Sequence, residues 1–213
     1  MKAFIFDLDG VLVFTDQFHY RAWKQIAEEL DIYFDQAINN RLRGVSRMES
    51  LEIILENYHG NPLPAEEKEK IAGKKNEIYR ELLSSMTPAD VSDEVRKTLE
   101  ELRKRGHKLA IGSSSKNTKY ILEKTHLLEA FDAISDGTNI VRSKPDPEVF
   151  LKAAEFLNET PDNCIVVEDA YAGIDAAKAA GMIAVGIGEA SHYEMTDYPI
   201  KSFKQLLILP ENK

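Results

Sequence analysis

The chain has 213 residues, which at roughly 150 residues per domain allows one or two domains and a full hydrophobic core, and is too long for a metal- or disulfide-stapled miniprotein. Hydrophobic residues make up 43% and charged residues 30%, a globular balance rather than a disordered one. Set against 36 Asp and Glu, the 27 Lys and Arg leave a net charge of −9, a field that repels polyanions, so nucleic acid is not an expected partner.

The strand-like run 3–6, Ala-Phe-Ile-Phe, stops at Asp7 and Gly10, as a buried strand running out into a loop would. Phe18, Ala22, Ile26 and Leu30 recur every four residues beside Trp23 and Ala27, predicting a helix over 16–30 with Asp16 as its cap. Helical patterns follow over about 36–43, 48–58 and 65–85, parted by Gly44 and by the turn-rich His59-Gly60-Asn61-Pro62. After Pro88 the pattern alternates. Helices are expected at about 92–105, 116–127, 147–158 and 171–180, and strands at 108–111, 131–134, 164–167 and 183–187. Asp146 is expected to cap the 147–158 helix, with Pro147 in its first turn. A short helix near 202–207 ends the series.

Strands alternating with helices imply an α/β doubly wound parallel sheet, and the first strand needs that sheet for partners. The helical block is therefore an insertion: a core of 1–14 and 87–213 interrupted by an all-helical cap of 15–86. The single cysteine, Cys164, excludes an intramolecular disulfide; its apolar setting predicts a buried thiol in a reducing cytoplasm. No stretch approaches the roughly 18 apolar residues of a membrane span, nor does the N-terminus resemble a signal peptide. A cytoplasmic protein without membrane contact is expected.

Ligands of doubly wound sheets bind beyond the carboxyl ends of the strands. Asp7 and Asp9 follow the first strand, Gly112-Ser113-Ser114-Ser115-Lys116 the second, Ser143-Lys144-Pro145 the loop after the third, and Glu168-Asp169 the fourth. Alone, each has an ordinary use as turn, cap or solvated lysine; their coincidence along one edge points to chemistry. Two such charges about 4 Å apart repel by roughly 4 kcal/mol at an effective dielectric near 20, so a cation is required. An all-oxygen donor set beside a phosphate suits Mg²⁺. Lys144, the Ser113 hydroxyl and backbone amides of the turn through Ser114 to Lys116 would hold phosphate oxygens. No Gly-x-x-x-x-Gly-Lys-Ser/Thr occurs, and no Gly-x-Gly-x-x-Gly follows a strand.

The order Phe6-Asp7-Leu8-Asp9-Gly10-Val11, then Ser113, Lys144 and Glu168-Asp169, resembles the four motifs of the haloacid dehalogenase superfamily. Phe18-His19-Tyr20-Arg21-Ala22-Trp23, Gly44-Val45-Ser46-Arg47, Lys75-Asn76, Ser114-Ser115-Lys116-Asn117 and Ser143-Lys144-Pro145-Asp146-Pro147 resemble the β-phosphoglucomutase family within it. The resemblance implies interconversion of β-D-glucose 1-phosphate and glucose 6-phosphate through an aspartyl phosphate and β-D-glucose 1,6-bisphosphate. It implies Asp7 as nucleophile and Mg²⁺ ligand, Asp9 as general acid/base giving its backbone carbonyl to the metal, and Glu168 and Asp169 as the other metal-site acids. Arg47 would grip the distal phosphate. Thr15, His19, Gly44, Val45, Ser50 and Lys75 would be hinge or sugar-contacting positions, and Ser115, Lys116 and Asn117 would lie near the substrate. Val13-Phe14 departs from the family's polar or acidic residue before the matching threonine. The expected partner is a small sugar phosphate, bound by a monomer. Two other activities fit the core motifs: an Mg²⁺-dependent phosphatase of sugar phosphates or phosphoglycolate, and a non-enzymatic phospho-acceptor domain, in which Asp9 and a large cap would have no purpose.

Overall fold

The computed structural model describes residues 2–42 and 45–209. Strand β1 (Ala3–Phe6) is followed by four helices, α1 (Asp16–Glu29), α2 (Gln36–Asn40), α3 (Arg47–Leu55) and α4 (Ala65–Leu83). Then come α5 (Asp93–Lys104), β2 (Lys108–Gly112), α6 (Thr118–Lys124), β3 (Ala133–Ser135), α7 (Glu148–Leu157), β4 (Cys164–Glu168), α8 (Tyr171–Ala179), β5 (Ile183–Gly186) and β6 (Tyr198–Pro199). All six strands form one parallel sheet in the order β3-β2-β1-β4-β5-β6. It is a doubly wound α/β fold with a helical cap inserted after β1.

Strand alternation distributes the core. Phe4, Phe6, Ile165 and Val167 point to one face, against Val95 and Leu99 of α5 and Ile121 of α6. Their neighbours Ala3, Ile5, Cys164 and Val166 point to the other, against α7 and α8. The cap has its own centre, where Trp23, Ile26 and Ala27 of α1 meet Leu51 and Ile54 of α3 and Ala72 of α4. Cap and core are joined by apolar packing too, since the first cluster continues through Leu12 and Val13 to Ala22, Tyr79 and Leu83.

Several boundaries differ from the sequence expectation. Asp16 is the first residue of α1 rather than its cap; Thr15 holds that position without capping the helix by its side chain. Pro147 likewise stands before α7 rather than in its first turn, although the Asp146 carboxylate does accept from the backbone N–H of Glu148. Helix α6 starts at Thr118 because the preceding hydroxyls bind backbone instead: Ser113 Oγ accepts from Ser115 N–H, and Ser115 Oγ from Asn117 N–H, each at 3.2 Å. Strand β3 begins two residues late, at Ala133, because Asp132 uses its carboxylate to accept the Leu109 N–H. A 3-10 helix at Phe203–Ile208 takes the place of the short C-terminal helix. No described helix is long and apolar enough to cross a membrane.

Candidate active site

The order of strands reverses between β1 and β4, and the crevice at such a reversal is where doubly wound sheets hold ligands. Asp7 leaves β1 there, its N–H donating to the Val167 carbonyl at 3.0 Å and so extending the strand pairing by one step. Glu168 is the last residue of β4. Lys144 reaches between the two, its Nζ 2.5 Å from both Asp7 Oδ1 and Glu168 Oε1. All three are buried. The second oxygen of Glu168 accepts from the N–H groups of Asp169 and Ala170 at 2.9 and 3.0 Å.

Two glycines make room for these acids. A Cβ on Gly173, in the first turn of α8, would stand 2.0 Å from the Glu168 carboxyl group. One on Gly10, whose φ of +82° already disfavours a side chain, would stand 2.0 Å from an Asp169 carboxylate oxygen.

Burial pushes the Asp7 carboxyl well above its ordinary range; Lys144 opposes that shift, while Glu168 and Asp169 add to it. Burial alone would lower the Lys144 ammonium, but Asp7 and Glu168 together hold it above its ordinary value. Asp7, Glu168 and Asp169 each offer an oxygen within 4.8 Å of the others. Three carboxylates against one lysine leave net negative charge, and the donors are all oxygen, so the set fits a hard divalent cation. The Asp9 carboxylate is not in that cluster.

Asp9 is instead placed by a tight loop in which the Leu12 and Val13 N–H groups donate to the Leu8 carbonyl and Gly10 N–H to that of Val13. Its Oδ1 accepts a short bond from the Thr15 hydroxyl, which is itself 2.9 Å from the hydroxyl of Tyr79 on α4. Burial raises the Asp9 pKa, opposed by the Thr15 bond and by the charges of Lys75 and Lys144. Val13 is fully buried and Phe14 is largely exposed.

The cap brings a cationic group close enough to act on Asp9. Lys75 Nζ lies 2.9 Å from His19 Nδ1 and over the rings of Trp23 and Tyr79. Burial, then the charges of Lys75 and Arg47, keep His19 well below its ordinary pKa. Burial and Arg47 bring Lys75 down to about 7. Arg47 starts α3 behind a capping box of Ser46 and Glu49, and Val45 just precedes it, half-buried. Ser50 is buried, its hydroxyl donating to the Ser46 carbonyl at 3.0 Å. Gly44 lies outside the described residues.

On the core side, Ser113 is buried, with its N–H on the Ser135 carbonyl at 3.1 Å. The Ser114 hydroxyl is buried and makes no hydrogen bond among the described residues. Ser115 is half-buried and Lys116 exposed. Asn117 is turned towards the cap: its Nδ2 donates to Asn76 Oδ1 at 2.8 Å and its Oδ1 accepts from Arg80 at 3.2 Å.

Sequence reasoning did not single out Tyr79 or Arg80, and it quoted Asn76 only within the Lys75-Asn76 motif without a role of its own. A signal for Tyr79 existed: it stands four residues after Lys75, on the same helical face.

Comparison with known proteins agrees with this geometry. Residues 1–181 match the haloacid dehalogenase-like hydrolase family. A β-phosphoglucomutase of Bacillus subtilis is 41% identical, with 98% of this chain and 92% of the relative covered. A phosphorylated carbohydrates phosphatase of Thermotoga maritima is 31% identical over 85% of this chain and 82% of its own. Among solved structures, a crystal structure of β-phosphoglucomutase from Clostridium difficile superposes with a TM-score of 0.90 at 38% identity, covering 97% of this chain and 93% of that one. With the acidic strand ends, the bridging lysine and the inserted cap in their places, the chain belongs to the haloacid dehalogenase-like hydrolase family, among relatives that include β-phosphoglucomutases.

Proposed function

We propose that this protein is a β-phosphoglucomutase, interconverting β-D-glucose 1-phosphate and glucose 6-phosphate through β-D-glucose 1,6-bisphosphate. The observation that carries the reading is the chain of contacts from Asp9 through Thr15 to Tyr79, which ties the candidate acid/base of the core to the cap, in a chain 41% identical to a β-phosphoglucomutase. Residues 1–14 and 87–213 act as the catalytic core and 15–86 as the cap that selects the sugar phosphate.

Asp7 is the nucleophile. A carboxylate attacks phosphorus without first losing a proton. As the bond from Asp7 to phosphorus forms, the bond from phosphorus to the sugar oxygen breaks, and that oxygen takes the proton held by Asp9. In the opposite step Asp9, ionised, removes the proton of the free hydroxyl of a sugar monophosphate as its oxygen attacks the aspartyl phosphate and Asp7 leaves, which makes the bisphosphate. The raised pKa of Asp9 suits a group that must hold a proton at one stage and release it at the next.

Asp7, Glu168, Asp169 and the Asp9 backbone carbonyl would hold Mg²⁺, which when bound supplies positive charge to the phosphoryl oxygens. Lys144, Ser113 and Ser114 hold the transferring phosphate. Arg47 grips the distal phosphate, with Lys116 and Asn117 opposite, while Thr15, His19, Val45, Ser50, Lys75 and Ser115 shape the sugar site. The bisphosphate so made turns around before a phosphoryl group passes back to Asp7, so that either phosphate can face Asp7.

A phosphatase is the second reading, favoured by the relative of that activity. The test is to supply β- or α-glucose 1-phosphate with Mg²⁺ and a trace of the bisphosphate. Glucose 6-phosphate formed from the β anomer alone is the expected result; stoichiometric inorganic phosphate without glucose 6-phosphate would replace the mutase reading with the phosphatase.

A further inference from the structure

Cap and core meet along a polar seam outside the acid cluster. On α4, Asn76 and Arg80 stand four residues apart, with Ser84 another four beyond, so all three lie on one helical face. Opposite them, Asn117, Tyr120 and Lys124 stand three and four apart along α6 and its first flanking residue. The two faces meet through side-chain contacts and one bond to a backbone carbonyl. Asn117 donates to Asn76 and accepts from Arg80 Nη1. The Arg80 guanidinium also lies over the Tyr120 ring, 4.5 Å from its centroid, while Lys124 approaches that ring at 5.7 Å and donates to the Ser84 carbonyl.

We propose that Arg80 is a positioning residue, the centre of a latch that holds the cap closed over the core and fixes the side-chain amide of Asn117. The inference rests on the mutase reading for its consequence in turnover, though not for the closure itself. Asn117 is buried, so both ends of its amide need partners, and the cap supplies both. Arg80 is exposed and Tyr120 half-buried. The latch contacts themselves are polar or cation–π, so parting them exposes little apolar surface of its own, while the apolar contacts of Tyr79 and Leu83 with the core lie beside them on α4. Helix α4 also carries Lys75 and Tyr79, and Tyr79 holds Thr15 against Asp9. Once bound substrate has closed the cap these contacts form again, so losing Arg80 costs closure rather than the alignment of Asp9 in the closed state.

A latch that favours the closed state raises apparent affinity by the fraction of molecules already closed. Removing one guanidinium that makes both a hydrogen bond and a cation–π contact is expected to weaken closure about tenfold. The experiment compares wild type, Arg80→Ala, Arg80→Lys and Tyr120→Leu. Energy transfer is measured in the free protein between dyes on Glu69→Cys of the cap and Glu100→Cys of α5, Cys164 being buried. Arg80→Ala and Tyr120→Leu are expected to lower transfer efficiency and to raise KM for β-glucose 1-phosphate about tenfold with kcat within about threefold. Arg80→Lys should restore most of both, and hydrolysis of a small aryl phosphate, which needs no closed cap, should stay level. Unchanged transfer in Arg80→Ala would overturn the latch, as would an equal loss of aryl phosphatase and mutase activity. Should wild type make no glucose 6-phosphate, the mutase reading fails alone, and the transfer measurement still decides the latch.

Discussion

Lys75 occupies a position where an ammonium is costly. It is 3% exposed, lies against two aromatic rings and a histidine, and has no carboxylate at ion-pair distance among the described residues. The rings return part of the lost hydration through their negative faces, but burial and the neighbouring Arg47 still bring its pKa down to about 7 from the ordinary 10.5. The consequence for stability has a definite sign. Between pH 7 and about 10 the unfolded chain holds a proton on this lysine that the folded chain has lost, so folding stability rises with pH across that window, by about 1.4 kcal/mol per unit where the difference is a full proton. Below pH 7 both states are protonated and the slope from this group vanishes. The measurement is urea unfolding of wild type and Lys75→Met at several pH values from 6 to 9.5. The stability of wild type relative to the variant is expected to climb above pH 7; a flat difference would show an ordinary lysine. On the proposed function, a sugar phosphate bound beside Lys75 would favour its charged form and so, with Arg47, would meet a positive field that the whole chain, at −9, lacks.

At the scale of elements, α8 shows how a helix can serve a site without contributing a ligand from its body. Its N-terminal flank offers the Asp169 and Ala170 N–H groups to Glu168, and its first turn has Gly173 where any Cβ would collide with that carboxyl group. In Gly173→Ala the glutamate must move by about an ångström, releasing Lys144 and Asp7 from their shared geometry. Helix propensity favours alanine, so the fold should survive. The expected result is an unchanged far-ultraviolet circular dichroism spectrum with kcat lower by about ten- to a hundredfold; full activity would mean that Glu168 can shift freely. Gly173 was not singled out from sequence, because a missing side chain leaves no chemical signature until its neighbour is known. The carboxylates and Lys144 were legible because each ends or follows an apolar run, and the doubly wound pattern sends all such ends to one edge. Register and long-range partners were not. Strand β6 has two residues and includes Pro199, which has no N–H to pair, so it carries no periodicity. Helix α6 looked longer because Ser113 and Ser115 read as cap material, while their bonds to backbone delay the helix. Asn117 was chosen as a core residue near the substrate, and no local pattern could reveal that its amide is held by Asn76 and Arg80 from a separate helix.

For the whole molecule, if Asp7 carries the phosphoryl group as proposed, the question is what prevents water from taking it. The core alone has everything hydrolysis needs: an acidic cluster suited to a cation, a lysine, a hydroxyl turn and a nearby acid. Selectivity for a sugar hydroxyl must come from coupling that chemistry to the cap, and the contacts run in that direction: Asp9 to Thr15, Thr15 to Tyr79, and Tyr79 in turn beside His19, whose ring centroid is 4.1 Å from its own. Arg47 is the first residue of α3, and on the proposed reading its guanidinium would hold the phosphate at the far end of the sugar from Asp7. Its binding energy would then be available to a bisphosphate and to glucose phosphates, and not to a small aryl phosphate whose one phosphate sits at Asp7. Binding energy from the remote end of a substrate is what closure can use to align the reacting end. A lost charge-assisted hydrogen bond is worth roughly 1.5–3 kcal/mol, so Arg47→Ala is expected to reduce mutase kcat/KM by about ten- to a hundredfold. Aryl phosphate hydrolysis by the same variant, at the same Mg²⁺ concentration, should change by less than about threefold. Equal losses in the two assays would place Arg47 in the fold of the cap rather than on the distal phosphate, and the cap's selectivity would then have to come from Lys75 and His19.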